Sequence, residues 1–343
     1  MKKFWFWLVL LSVLLVISFV LGVNLGYAKI PLSQVMSIIG HHLGINMSMD
    51  GIKDSTIDII TYIRVPRLIL AVIVGMSLAT SGVVMQAVVR NPLADPFVLG
   101  VSSGAALGAT LAILFGLGKF VGPNSVGFVA FLMAFLVAML VVFLANLGGR
   151  ATSTKLLLSG LALSTVASSF SNLLIYLSPN RDAARQVTFW MLGSLAGAKW
   201  NQITFIGPII LICSLFFLVQ YRTLNLMLLG DEVSITLGKD LNKSRHIFIL
   251  VSSALIGFVV YVSGVLGFVG LIVPHIARIL IGTDHKKLIP ISMLLGSLLL
   301  LWADVISRIL IPGSELPTGV IISIVGAPLF IYLIIKRTYG GRK

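Results

Sequence analysis

This sequence of 343 residues predicts an all-α integral membrane fold, with about ten transmembrane helices and some short or broken spans. Composition is the first reason. The chain is 58% hydrophobic and 10% charged, against about 45–50% and about 25% in ordinary soluble domains. Patterning is the second: apolar runs long enough to cross roughly 30 Å of hydrocarbon recur from end to end, bounded by charge or by Gly and Pro. The third is the placement of the net charge of +14. Its basic residues flank the apolar runs and do not cluster on a soluble module, so they read as topology signals at a membrane surface and not as a nucleic-acid interface. The single Cys213 sits in the apolar run 209–219, which excludes a disulfide framework or a Cys-based metal site and leaves a small core residue.

The first span, 4–26, follows Met1-Lys2-Lys3. Its apolar run of about 20 residues exceeds the 7–15 of a secretory signal, and no small-residue cleavage site follows, so it is expected to be retained. Residues 27–66 form an extracytoplasmic loop, polar enough over 27–62 for a small surface helix. Further spans are predicted at 67–89, 97–117, 125–147, 155–177 and 202–220. Residues 221–245, "YRTLNLMLLGDEVSITLGKDLNKSR", mix apolar and charged side chains at helical spacing, as suits an amphipathic element lying against a partner. The stretch 246–282 carries Gly257, Gly264, Gly267, Gly270 and Pro274. It is too long for one span and too broken for two regular ones, so 246–263 and 264–282 are expected to be interrupted where neighbours satisfy the freed backbone. Spans 288–311 and 317–335 complete the ten, in a single transmembrane domain over 1–343. Gly75, Ala79 and Gly82 on the second span, and Gly100, Gly104 and Gly108 on the third, recur every three or four residues and predict close helix contacts.

With the N-terminus inside, sixteen Lys and Arg fall on the inner side and nine on the outer, so both termini are expected in the cytoplasm. Arg64, Arg67 and Arg308 fall outside, against that bias. The opening of the second span, "YIRVPRL", therefore sets fixed positive charge on the outer face.

Other patterns carry less. Gly100-Val101-Ser102-Ser103-Gly104 matches G-x-S-x-G, but it opens an apolar helix with no accompanying His and acid, and packing explains its small residues. The five histidines are scattered, with no H-E-x-x-H and no carboxylate at ligand spacing. His275 follows Pro274 and reads as a ring satisfied by freed carbonyls. Asp304 and Arg308 lie four residues apart on one helix face. They read either as part of a proton relay in an ion-coupled secondary transporter or as a self-neutralising pair at a helix end. No G-x-x-x-x-G-K-[ST] occurs, so an ATP-driven process would need a separate ATPase, with 221–245 as its natural seat.

Four segments carry a resemblance: "RVPRLILAVIVGMSLATSGVVMQAVVRNPLADPFVLGVSSGAALG" (64–108), "GVLGFVGLIVPHIARILIGTDHKKLIP" (264–290), "ADVISRIL" (303–310) and "ELPTGVIISIVGAPLFIYLI" (315–334). In this order, and over nearly the whole chain, they resemble the FecCD-type permeases of bacterial ABC importers for iron-siderophores, haem or cobalamin. The resemblance implies the type II importer permease fold and no enzymatic activity in this chain. It implies a pair of permease subunits, identical or not, in the bacterial cytoplasmic membrane and in contact with its lipid. It also implies two ATPase copies that carry ATP and Mg, an extracytoplasmic binding protein or lipoprotein, and no cofactor on this chain. By the same resemblance Arg64, Arg67 and Arg308 meet glutamates of the binding protein, where bidentate geometry and steering suit a carboxylate partner. Asn91 and Leu93 match a cytoplasmic gate, as do Thr152 and Ser153, although Asn91-Pro92 also reads as a plain turn. Gly230, Asp231 and Glu232 resemble the segment that seats in the ATPase. The cargo implied is an iron complex, ferric siderophore first, then haem or cobalamin.

Overall fold

The structure, a computed structural model, describes residues 2–339 except 27, 29, 43, 46, 123, 148, 150 and 151. Lys29, Arg150, Arg342 and Lys343, counted above for orientation, lie outside the described residues. Helices follow one another as α1 (Lys2–Asn24), α2 (Leu32–His42), α3 (Asp54–Asp58), α4 (Val65–Val89), α5 (Val101–Phe115), α6 (Ser125–Asn146), α7 (Ser153–Leu177) and α8 (Arg181–Met191). Then come α9 (Trp200–Val219), α10 (Tyr221–Leu229), α11 (Asp231–Thr236), α12 (Asn242–Ser263), α13 (Val269–Ile281), α14 (His285–Ile309) and α15 (Thr318–Tyr339). Each of the ten predicted spans has its helix. Among the described residues seven segments are long and apolar enough to cross a membrane, and α5, α13 and α15 supply shorter apolar ones.

Two boundaries differ from expectation for physical reasons. The second span does not begin at 67: α3, a π-helical turn (Ile59–Arg64) and α4 form one continuous helix from Asp54 to Val89, 36 residues long. Pro66 has no N–H to give and its ring crowds the preceding turn, and the wide turn before it absorbs the conflict, with Val65 N–H reaching Ile60 O. The third span begins at Val101, because Asp95 caps a short turn over Pro96–Leu99 and Gly100 reverses the chain at φ 75°. Helix α8 was not anticipated; Asn180 caps it by accepting from Asp182 N and Ala183 N.

Helix α4 is the axis of the bundle. In its most apolar window 78% of residues are buried, against 22% in α1 and 17% in α7, so those two are peripheral. It packs against α14 and α13 through bare backbone. A Cβ at Gly75 would stand 2.2 Å from Gly296 O, and one at Gly82 would stand 2.0 Å from Gly270 O. The small-residue face predicted on the second span is thus a backbone-to-backbone contact. The predicted break lies at 264–268, between α12 and α13, and neighbouring backbone shares in its bonding: Ser194 N donates to Ser263 O at 2.8 Å.

Candidate functional site

Charged and polar side chains gather at the two ends of the α4–α14 pair. At the end where α4 starts, the π turn sends Arg64 toward α1 and Arg67 toward α14. Arg64 donates to Val23 O at 2.7 Å, to Asn24 O at 2.9 Å and to Ala28 O, so a guanidinium closes the C-terminal carbonyls of α1. Gly26 makes room for it: a Cβ there would lie 2.8 Å from the guanidinium. Arg67 donates from Nε to Asp304 at 2.7 Å and from Nη1 to Glu315 at 2.7 Å. Arg308 meets the other Asp304 oxygen at 3.2 Å and reaches Gly22 O at 3.3 Å. The three predicted arginines are therefore brought together, and all three line a cleft of about 440 Å³ that Glu315 also lines.

The sequence places these arginines on an outward surface, and the structure draws them inward. Arg64, Arg67 and Arg308 are 4%, 2% and 8% exposed, and Asp304 is fully buried. Glu315 is the exposed member, with 52% of its side chain accessible. Of the two readings of Asp304 and Arg308, the paired one is what the geometry shows. Asp304 is clamped between two guanidinium groups, which ties up the carboxylate that a proton relay would need free.

At the opposite end Asp231 bridges Arg90 at 2.7 Å and Arg245 at 2.6 Å, joining the end of α4, the start of α11 and α12. Arg90 takes the left-handed conformation that stops α4 (φ 54°). Gly230, at φ 99°, turns the chain between α10 and α11, so the predicted amphipathic segment is two short helices. Asn225 on α10 donates to Asp284 at 2.9 Å and accepts from His285 N at 2.9 Å, which ties α10 to the start of α14. Sequence reasoning missed this link, since its partners lie 59 and 60 positions apart. Beyond these anchors Leu228, Leu229, Val233, Ile235 and Leu237 are exposed, and so is Glu232.

Asn91 and Leu93 form a tight turn in which Asn91 Oδ1 accepts from Leu93 N at 2.9 Å; Leu93 is 44% exposed. Thr152 caps α7 by accepting from Lys155 N, and Ser153 Oγ is buried without a hydrogen-bond partner. Among the described residues no hydrogen bond joins the two pairs. Asp95, in the same connection as Asn91, has its carboxyl pushed up to about 6 by burial, against the opposing hydrogen bond from Phe97 N–H. Ser102 and Ser103 sit in the first turn of α5 with no strand before them, so the G-x-S-x-G match is helix packing. His275 lines a cleft of about 570 Å³ beside Gln86, Arg90 and Arg278. Among the described residues no group of three or more His, Cys, Asp or Glu could hold a metal.

Residues 14–336 match the family model of the FecCD transport family. The chain belongs to the FecCD transport family. It is 40% identical to the hemin transport system permease protein HmuU of Yersinia pestis, over 80% of this chain and 82% of that one. It is 34% identical to the molybdate import system permease protein MolB of Haemophilus influenzae, over 96% of both. Among solved structures it superposes with a TM-score of 0.81 on a metal-chelate type ABC transporter in an inward-facing conformation, at 33% identity and over 96% of this chain and 98% of that one. As a FecCD member the chain is a multi-pass membrane permease of a type II ABC importer. It is a transport component and not an enzyme: ATP is hydrolysed on a separate subunit, and the permease works with a second permease subunit. An ion-coupled carrier built on Asp304 and Arg308 has no support in either the geometry or the relatives.

Proposed function

We propose that this FecCD permease imports an iron complex, a ferric siderophore first and haem or cobalamin next, delivered by an extracytoplasmic binding protein or lipoprotein. The Arg67 end of α4 faces outward and the Arg90 end faces the cytoplasm, with both termini inside. That is the side with the larger share of Lys and Arg. One observation carries the reading: an arginine cluster stands at one end of the α4–α14 pair and an anchored helical hairpin at the other, an arrangement that supports two separate partner surfaces. At the outer cleft, guanidinium groups in a low-dielectric setting suit carboxylates on the binding protein. At the inner end α10 and α11, within 221–245, are held by Asp231 and Asn225 while Leu228, Leu229, Val233 and Glu232 stay exposed for an ATPase. Two ATPase copies, carrying ATP and Mg, sit beneath a permease pair. Leu93 and Asn91, with Thr152 and Ser153, serve as the cytoplasmic gate. The hemin-carrying relative supports an iron chelate, and the molybdate-carrying relative sets the competing cargo.

The test is a gentle detergent pull-down with mass spectrometry, followed by reconstitution with whatever ATPase and binding protein come along. Uptake of radiolabelled iron as a siderophore or haem complex, dependent on ATP and abolished by Arg67→Glu, is expected. Molybdate uptake, or uptake indifferent to Arg67→Glu at low salt, overturns the cargo or the docking assignment respectively.

A further inference from the structure

The outer cluster has a charge count that explains its construction. Arg64, Arg67 and Arg308 face Asp304 and Glu315, which leaves one positive charge in excess among side chains that are nearly all buried. A buried guanidinium left without a carboxylate is costly, so Arg67 must stay paired whether or not a partner is docked. Asp304 does half of this through Nε. The other half falls to Glu315, and its environment is unlike that of Asp304. Asp304 is fully buried, whereas the Glu315 side chain is 52% exposed at the mouth of the cleft. Glu315 also binds one nitrogen only. Its contact is to Nη1 at 2.7 Å, while Arg67 Nη2 is buried with no hydrogen-bond partner. The loop beneath is pinned on both sides of the residue, by Ser314 N to Ile311 O at 3.3 Å and Leu316 N to Ser307 O at 3.1 Å. The side chain can therefore rotate into water without displacing its backbone.

We infer that Glu315 is a resident carboxylate that holds Arg67 between docking events and is exchanged for a carboxylate of the incoming binding protein. This rests on the docking reading above and adds how the site is kept competent. The exchange conserves charge: one carboxylate leaves Arg67 for water as another arrives. The exchange requires that the departure of Glu315 uncover Nη2, which is buried in this structure; a carboxylate that then bonds both Nη1 and Nη2 gains the fork geometry that Glu315 lacks. A neutral surface offers no carboxylate for the exchange, so Glu315 stays on Arg67 and no docking contact forms there.

The experiment measures binding-protein affinity for the full importer in nanodiscs, using the binding protein recovered with the complex, for wild type, Glu315→Gln, Glu315→Asp and Arg67→Gln. Removing the resident competitor with Glu315→Gln should tighten docking about tenfold. Glu315→Asp keeps the net charge but shortens the reach, and it should tighten docking nearly as much. A small dicarboxylate, glutarate, should raise the melting temperature of Glu315→Gln at concentrations that leave wild type unmoved. Tightening by Glu315→Gln alone, with Glu315→Asp behaving as wild type, would mean long-range attraction and overturn the exchange. Unchanged or weaker docking in Glu315→Gln and Glu315→Asp, with docking abolished by Arg67→Gln, would make Glu315 purely structural and also overturn it. Docking insensitive to Arg67→Gln would overturn the docking reading itself, and the exchange with it.

Discussion

Asp304→Asn isolates the electrostatic core of the outer cluster. The substitution keeps the side chain's size and much of its hydrogen bonding, but removes the charge that meets Arg67 at 2.7 Å and Arg308 at 3.2 Å. All three side chains are at most 6% exposed, so water cannot take over the lost partner. At an effective dielectric of 20, one such contact amounts to about 4 kcal/mol of gross attraction. Part of the loss is returned, because a neutral Asn no longer bears the desolvation cost of a buried anion. Removing one partner of a buried pair costs about 3–5 kcal/mol, and that is the expected loss here. Melting of the purified permease in mild detergent, followed by tryptophan fluorescence, should fall by roughly 5–10 °C. Arg308→Gln should cost less, since Asp304 keeps Arg67 and the cluster becomes charge-balanced. The double substitution should be milder than the sum of the two, with a coupling of about 1–3 kcal/mol. An unshifted melt for Asp304→Asn, or full additivity in the double variant, would refute the view of Asp304 as a clamped counter-ion. A melt that holds while uptake is lost would instead restore the proton-relay reading.

Three further outcomes are expected. Gly82→Ala must open the α4–α13 contact, because its Cβ would lie 2.0 Å from Gly270 O, and should cost about 1–3 kcal/mol in the same melt. Gly197→Ala, with nothing within 4 Å, should leave the melt unchanged, and equal effects at the two sites would disprove the close-contact account. Asp95 holds its proton more tightly in the fold, at about 6, than at its ordinary 3.8. Stability should therefore fall as pH rises from about 4 to about 6 and then level off, by at most about 3 kcal/mol. Asp95→Asn should remove that slope while keeping the cap, and parallel pH profiles for the two proteins would rule it out. Asp231→Ala takes a carboxylate from Arg90, whose side chain is 35% exposed, and from Arg245, whose side chain is 5% exposed, so about 1–3 kcal/mol of stability is at stake. Transport per ATP hydrolysed should drop several-fold in reconstituted importer, and preserved coupling would move the docking element elsewhere in the 221–245 segment.

How much of this was legible in the sequence depended on distance along the chain. Apolar run length located all ten helices, and helical spacing paired Asp304 with Arg308. The glycine faces were visible too, as spacings of three or four on the second and third spans. Charge count grouped Arg64, Arg67 and Arg308 on one side, but not their burial, because the carboxylates they meet lie far away: Asp304 is 237 and Glu315 is 248 positions from Arg67. The continuous helix from Asp54 escaped notice because its first turns are polar and were assigned to a loop. Helix α8 is short, at 11 residues, and lies between two predicted spans, so apolar run length does not reveal it. At the inner end the helical spacing of 221–245 showed an amphipathic segment but not its division at Gly230, and the Asn225 link to Asp284 and His285 had no local signal.

The glycine contact between α4 and α14 has a mechanical consequence. At Gly75 and Gly296 the two backbones touch with no side chain between them to compress or change rotamer, so at that crossing one helix cannot roll over the other without breaking the contact. The crossing is a fixed point between the two ends of the pair, one held by the arginine cluster and the other by Asp231 and Asn225. On the function proposed above, a load at either end would have to pass that point, which would tie docking outside to nucleotide chemistry inside.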